Sequence, residues 1–202
     1  MLPTIKITKE EINALPLQAY EGPVRLVSKD QDIPGAIEEL RQEEILGFDT
    51  ESRPSFKKGV AYPASLIQLG GARQVWLFQI SRLNKVGPLW DLLATRRIIK
   101  AGVAIQDDIK KLQDLRPFKP AGFVEIADLS QKAGILNTGL RSLAGLLLHI
   151  RISKRAQVSN WARDDLSEAQ IQYAATDAWV SRELYLHMLD LSHRTLAPAA
   201  SG

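Results

Sequence analysis

The chain has 202 residues, 45% hydrophobic and 24% charged, with a formal net charge of +3. That balance describes one ordinary globular domain with a large core and excludes disordered and fibrous classes. There is no cysteine, so disulfides and thiolate zinc sites are impossible, and any metal must be held by oxygen or by the three histidines. No apolar run is long enough to span a bilayer, and Met1-Leu2-Pro3-Thr4-Ile5-Lys6 lacks the regions of a signal peptide. The expectation is a cytoplasmic protein with no membrane contact.

Thr8 and Glu11 have capping-box spacing and predict a short helix through about Leu15, followed by a strand from Pro23 to Val27. A helix is expected around Ala36 to Gln42, then strands at Ile45 to Thr50, Ser65 to Leu69 and Gln74 to Phe78. Gly70-Gly71-Ala72-Arg73 between the last two is a hairpin signal, so they should pair antiparallel. The pattern then alternates: a helix at Leu89 to Ala94, a strand at Ile98 to Ala104, a helix at Asp108 to Leu115 and a strand at Phe123 to Ile126. Strands joined by helices of this length imply parallel crossovers, and the predicted fold is α/β, a mixed sheet with helices on both faces. A helix at Leu140 to Ile150 follows, then a long one whose start is marked by Ser167 and Gln170. Residues 1–195 read as a single domain, with 1–43 an extension of it, and 196–202 as a frayed tail.

Two acids, Asp49 and Glu51, end the apolar run Ile45-Leu46-Gly47-Phe48. In a strand they point the same way, about 7 Å apart, and repel unless a cation lies between them. In the helix near Asp108, that residue shares a stripe with Leu112 and Leu115, whereas Asp107 shares one with Lys110, Lys111 and Asp114. Asp108 is therefore expected inward and Asp107 outward, with helix N-capping the alternative reading of the pair and the whole role of Asp107. Tyr173 and Asp177 are four apart and lie with Ala174, Val180 and Leu184 on one helical stripe facing the core. Any one of these acids alone suits a buried ion pair or a cap. Four inward, anionic carboxylates in a chain without cysteine suit Mg²⁺ or Mn²⁺.

Asp49-Thr50-Glu51, Gly102-Val103-Ala104-Ile105-Gln106-Asp107-Asp108 and Tyr173-x-x-x-Asp177 resemble the three motifs of the DEDD superfamily of 3′-to-5′ exonucleases, in the variant with tyrosine in the third motif. No histidine lies four or five residues before Asp177, which disfavours the histidine variant. Within the superfamily the chain is most similar to the Werner syndrome exonuclease domain and next to ribonuclease D, with support from Ser159-Asn160-Trp161 and Gly139-Leu140-Arg141-Ser142-Leu143.

The resemblance implies a ribonuclease H-like fold and two divalent ions about 4 Å apart that clamp the attacking and leaving oxygens. It makes Asp49 the bridging ligand, Glu51 and Asp177 further ligands of one ion, and Asp108 an outer or water-mediated ligand of the other. Tyr173 would orient the attacking water. The implied partner is the 3′ end of DNA or RNA, and no protein partner is implied. Thr50, the loop residues Phe56 and Lys57, and Lys154 and Arg155 are candidate substrate contacts. The last two belong to an acid-free block between Asp128 and Asp164 that also holds Lys132, Arg141, Arg151 and Arg163. Such a block suits a phosphate backbone or a solvated face equally. His149, His187 and His193 are expected to serve packing or surface, and Trp161 packing. The competing function is a nucleic-acid-binding scaffold on the same fold that has lost turnover; an internally cutting enzyme is a third, separated by its lack of a free-end requirement.

Overall fold

The computed structural model describes residues 5–57 and 59–196, with side chains described through residue 191. The N-terminal Met1 to Thr4, Lys58 of the basic loop, the tail at 197–202 and the His193 side chain lie outside the described residues.

Six strands form one sheet in the order β1-β4-β3-β2-β5-β6. They are β1 Val24–Val27, β2 Ile45–Ser52, β3 Ala64–Gly70, β4 Val75–Phe78, β5 Ile99–Gly102 and β6 Phe123–Glu125. β2, β3 and β4 run antiparallel as consecutive neighbours, while β1 joins β4, and β5 joins β2 and β6, in parallel. The mixed sheet and the hairpin at Gly70 are as expected. The helices are α1 Lys9–Ala14, α2 Ile33–Leu40, α3 Gly87–Leu93, α4 Ile105–Leu115, α5 Ile126–Lys132, α6 Leu140–Leu143 and α7 Glu168–Leu196.

Alternation along β2 divides the core. Leu46 and Phe48 join Ile67 and Phe78 under Ile37, Leu93 and Leu112 of α2, α3 and α4. The opposite face meets α7, where Ala174 and Ala178 pack on Leu66 and Leu77. Gly47 and Gly70 are cross-strand partners beneath α7, and a Cβ on either would collide with the Ala178 carbonyl. That close approach sets how near α7 lies to β2, and Arg182 Nε adds a 3.2 Å hydrogen bond to the Ile45 carbonyl. On the other side, the buried Lys100 of β5 donates from Nζ to the carbonyls of Thr95 and Ile98 at 2.6 and 2.8 Å, tying β5 to the end of α3.

Both capping boxes form. Thr8 and Glu11 exchange hydrogen bonds at the start of α1, and Ser167 and Gln170 do so at the start of α7. Three expectations are corrected. The strand expected through Ala104 ends at Gly102, and α4 begins at Ile105, three residues before the predicted start. Neither Asp107 nor Asp108 caps it: Ala104 turns left-handed at φ 59°, and the Glu125 carboxylate accepts from the Ala104 and Ile105 N–H groups, both at 2.9 Å. The same carboxylate accepts from Ala127 N–H and caps α5, a helix the periodicity did not reveal. The helix expected over Leu140 to Ile150 is α6 followed by a π turn, Ala144–Leu148, which ends at the left-handed His149. Among the described residues no helix is long and apolar enough to cross a membrane.

Candidate active site

Three elements supply the carboxylates. Asp49 and Glu51 leave β2 on the α7 face, and Asp177 descends from α7 onto them. With Tyr173 they line one cavity of about 440 Å³, to which Thr50, Ser181, Arg141 and Lys154 also contribute. Asp177 is 4% exposed, and Asp49 and Glu51 are partly open to the cavity. Asp108 is reached from the other side of β2. Thr50, pointing away from its two acidic neighbours, donates from Oγ1 to Asp108 Oδ1 at 2.7 Å, while the Thr50 N–H donates to Asp49 Oδ1 at 2.8 Å. Lys111 Nζ lies 4.0 Å from Asp108, one turn along α4.

The inward and outward assignment of Asp108 and Asp107 holds, with one change to the stripe behind it. Ile105, Ile109 and Leu112 are buried around Asp108, and Leu115 is 45% exposed. Asp107 is exposed.

In the protein alone, burial opposes the anionic state expected of all four acids. Burial, then the carboxylates of Asp177 and Asp108, pushes Asp49 well above the usual range. Glu51 rises to about 10, through burial first and then Asp49, Asp177 and Asp108. Burial also raises Asp177, against the lowering influence of the nearby Tyr173 hydroxyl, and it raises Asp108 against the Thr50 hydrogen bond. Ionising the whole cluster without a counter-charge would desolvate several anions close together. Among the described residues no three Asp, Glu or His side chains converge into a finished metal-ligand set. The donor chemistry nevertheless fits a hard divalent cation: four carboxylates from three elements, no soft ligand, and buried acids whose ionisation a positive charge would favour.

Tyr173 is raised above its ordinary value by burial, then by Asp177 and Glu51, so its hydroxyl keeps its proton at neutral pH. Its ring lies 5.9 Å from that of Trp161, which is fully buried and so packs as expected. His149 is exposed and His187 partly buried, and neither lines the carboxylate cavity.

The candidate substrate residues divide. Thr50 and Lys154 line the carboxylate cavity. Arg155 lines a second cavity of about 740 Å³ with Arg151 and Arg163, and Arg141, Lys154 and Tyr173 border both. Lys132 lines neither. Phe56 is 85% exposed, and it and Lys57 lie outside both linings, on the loop beyond the β2 bulge at Glu51 and Ser52. Sequence reasoning did not single out Glu125, Ser181 or Gln68. A lone glutamine inside the apolar strand Ala64–Gly70 was the one local signal among them.

The sheet order brings acids from β2, α4 and α7 to one region of the fold. The family of 3′-5′ exonuclease domains matches residues 24–191, and the chain belongs to that family. It is 37% identical over 157 residues to the mouse bifunctional 3′-5′ exonuclease/ATP-dependent helicase WRN, covering 72% of this chain and 11% of that protein. The chain spans less than half the length of the curated relatives it matches, 25% of one and 44% of another. The crystal structure of the Aedes aegypti Nibbler EXO domain superposes with a TM-score of 0.79 at 24% identity, covering 92% of this chain and 96% of that one. Trypanosoma brucei RNase D in complex with RNA U12 gives 0.76 at 18% identity, covering 84% and 63%. Both likenesses establish the ribonuclease H-like exonuclease fold.

Proposed function

We propose that this chain is a metal-dependent 3′-to-5′ exonuclease that releases nucleotides from the 3′ ends of single-stranded or recessed nucleic acid by a two-metal-ion mechanism. The observation that carries the reading is the meeting of Asp49, Glu51, Asp177 and Tyr173 in one cavity, with Asp108 held beside them by Thr50. These four acids would hold Mg²⁺ or Mn²⁺: Asp49 as the shared ligand, Glu51 and Asp177 on one ion, and Asp108 as an outer ligand of the other. Bound ions would supply positive charge at the reacting phosphate and lower the pKa of the attacking water.

The chain's own groups position the reactants. Tyr173 keeps its proton, so it acts by orienting water with its hydroxyl and not as a base. Trp161 fixes the tyrosine ring from beneath. Arg141 and Lys154 supply charge at the carboxylate cavity, and Arg151 and Arg155 continue it into the neighbouring one, a path suited to a phosphate backbone. Thr50 borders the terminal nucleotide, and Phe56 and Lys57 offer a stacking ring and a cation at the outer edge. The complex of T. brucei RNase D with RNA U12 supports a nucleic-acid strand as the partner. All four acids and the tyrosine are present, which leaves the scaffold without turnover no feature in its favour.

A gel time course on 5′-labelled single-stranded and 3′-recessed DNA and RNA, with Mg²⁺, Mn²⁺ or chelator, tests this. The expected result is a ladder shortening from the 3′ end only with metal, abolished in a folded Asp49→Ala variant. Internal cuts on a circular substrate, or an Asp49→Ala variant as fast as wild type, would overturn it.

A further inference from the structure

Gln68 of β3 lies directly opposite Asp49 of β2. Opposed residues of an antiparallel pair project from the same face with Cβ atoms roughly 4.5–5.5 Å apart. On its other side Gln68 is paired with Leu77 of β4, and the same-face neighbours along β3 are Leu66 and Gly70. Leu66 and Leu77 pack against Ala174, Ala175 and Ala178 of α7, and Gly70 lies against the Ala178 carbonyl. An amide has thus been put in an apolar shell. Gln68 is 0% exposed, and among the described residues neither its Nε2 nor its Oε1 has a hydrogen-bond partner.

A buried amide unmatched at both ends destabilises a fold, and leucine or methionine would suit the same shell. Of the four residues immediately beside Gln68 on this face, Asp49, Leu77, Leu66 and Gly70, Asp49 alone carries a polar side chain, with Glu51 and Gln79 one diagonal step further. One Asp49 oxygen, Oδ1, already accepts from the Thr50 N–H. A ligand carboxylate is oriented by the hydrogen bonds it receives from behind, and such outer partners set metal affinity and turnover.

We propose that Gln68 is a positioning residue of the exonuclease centre, its Nε2–H donating to the Asp49 carboxylate when that carboxylate holds a divalent ion. The inference rests on the function proposed above for Asp49. It explains why an amide occupies a position where an apolar side chain would serve the fold better.

The test compares the wild-type chain with Gln68→Leu, Gln68→Met and, as control, Asp49→Asn. Three quantities are read: melting temperature in chelator, Mn²⁺ affinity from the electron paramagnetic resonance of free Mn²⁺, and kcat and KM on a single-stranded oligonucleotide. Both Gln68 variants should melt at or above the wild-type temperature in chelator. They should bind Mn²⁺ roughly 10- to 100-fold more weakly. The loss of turnover should fall on kcat, with KM for the strand unchanged. A purely structural glutamine would move the melting temperature and leave Mn²⁺ affinity alone. Folded variants with wild-type Mn²⁺ affinity and kcat overturn the inference, as does failure of both to fold, which would make the amide a determinant of the fold. If Asp49→Asn loses Mn²⁺ binding and cleavage while the Gln68 variants keep them, this inference alone fails. If Asp49→Asn keeps them, the exonuclease reading of Asp49 fails first.

Discussion

Thr50 and Asp108, 58 residues apart in the chain, are joined by a 2.7 Å hydrogen bond from hydroxyl to carboxylate. One strand therefore presents two acids on one face and, from the opposite face, fastens a third acid carried by α4. Thr50→Val keeps the branched shape but removes the donor. Its expected effect is a loss of turnover on the order of 10-fold, with little change in melting temperature. Asp108→Asn should cripple turnover, and Asp107→Asn, at an exposed position, should leave it near wild type. Single-turnover rates of the three variants check this, and equal losses at 107 and 108 would refute it.

In chelator, the protein should lose stability as pH rises. A carboxyl whose folded pKa lies above its unfolded one binds its proton more tightly when folded. Its contribution is complete below the unfolded value, about 4, and is lost as pH climbs through the folded value. For Glu51 that folded value is about 10, and Asp49, Asp177 and Asp108 are shifted in the same direction. Urea unfolding across this range should show the decline, Glu51→Gln should flatten it, and Mn²⁺ should counter it because bound metal needs the deprotonated ligands. Stability that grows with pH in chelator would contradict the upward shifts of these acids.

Tyr173→Phe retains the ring packed on Trp161 and removes the hydroxyl that shares the cavity with the Asp177 carboxylate. A positioning hydrogen bond at a reacting centre is worth on the order of 10²-fold in rate. The single-turnover rate should fall by about that factor, with Mn²⁺ affinity and melting temperature close to wild type. A variant that cleaves at the wild-type rate would return Tyr173 to the core.

Gly47→Ala places a methyl group against the Ala178 carbonyl and the Arg182 amide of α7. The contact is with backbone, so the helix itself must move. Overpacking of this kind costs about 1–3 kcal/mol, occasionally more. Here it also shifts Asp177, one residue from Ala178. Thermal denaturation and nuclease rate should both register the change; a neutral substitution would mean that α7 is not seated by this glycine.

Replacing Arg151, Lys154 and Arg155 together with glutamine should weaken strand binding and flatten its salt dependence, since each lost phosphate contact lowers counterion release. Binding isotherms at several salt concentrations, measured in chelator, give the slope. Identical slopes for variant and wild type would make the block a solvated surface.

The sequence by itself determined those features that depend on spacing within one element. Strand alternation put Asp49 and Glu51 on one face, the i, i+4 relation put Tyr173 and Asp177 on one side of a helix, and two capping boxes marked where α1 and α7 begin. These are consequences of backbone period and local hydrogen bonding, and neighbours far along the chain do not alter them. Tertiary structure decided whatever depends on which elements meet. The start of α4 is set by Glu125, a residue 21 positions from the Ala104 amide it receives. Thr50 reaches Asp108, and Gln68 stands opposite Asp49, only because of packing and strand register. The upward pKa shifts of the acids were only partly within local reach, through the repulsion between Asp49 and Glu51 along one strand. Burial is the largest cause of each shift, and the charges that reinforce it at Asp49 and Glu51 come from carboxylates on other elements, with Asp49 also acting on Glu51 within β2.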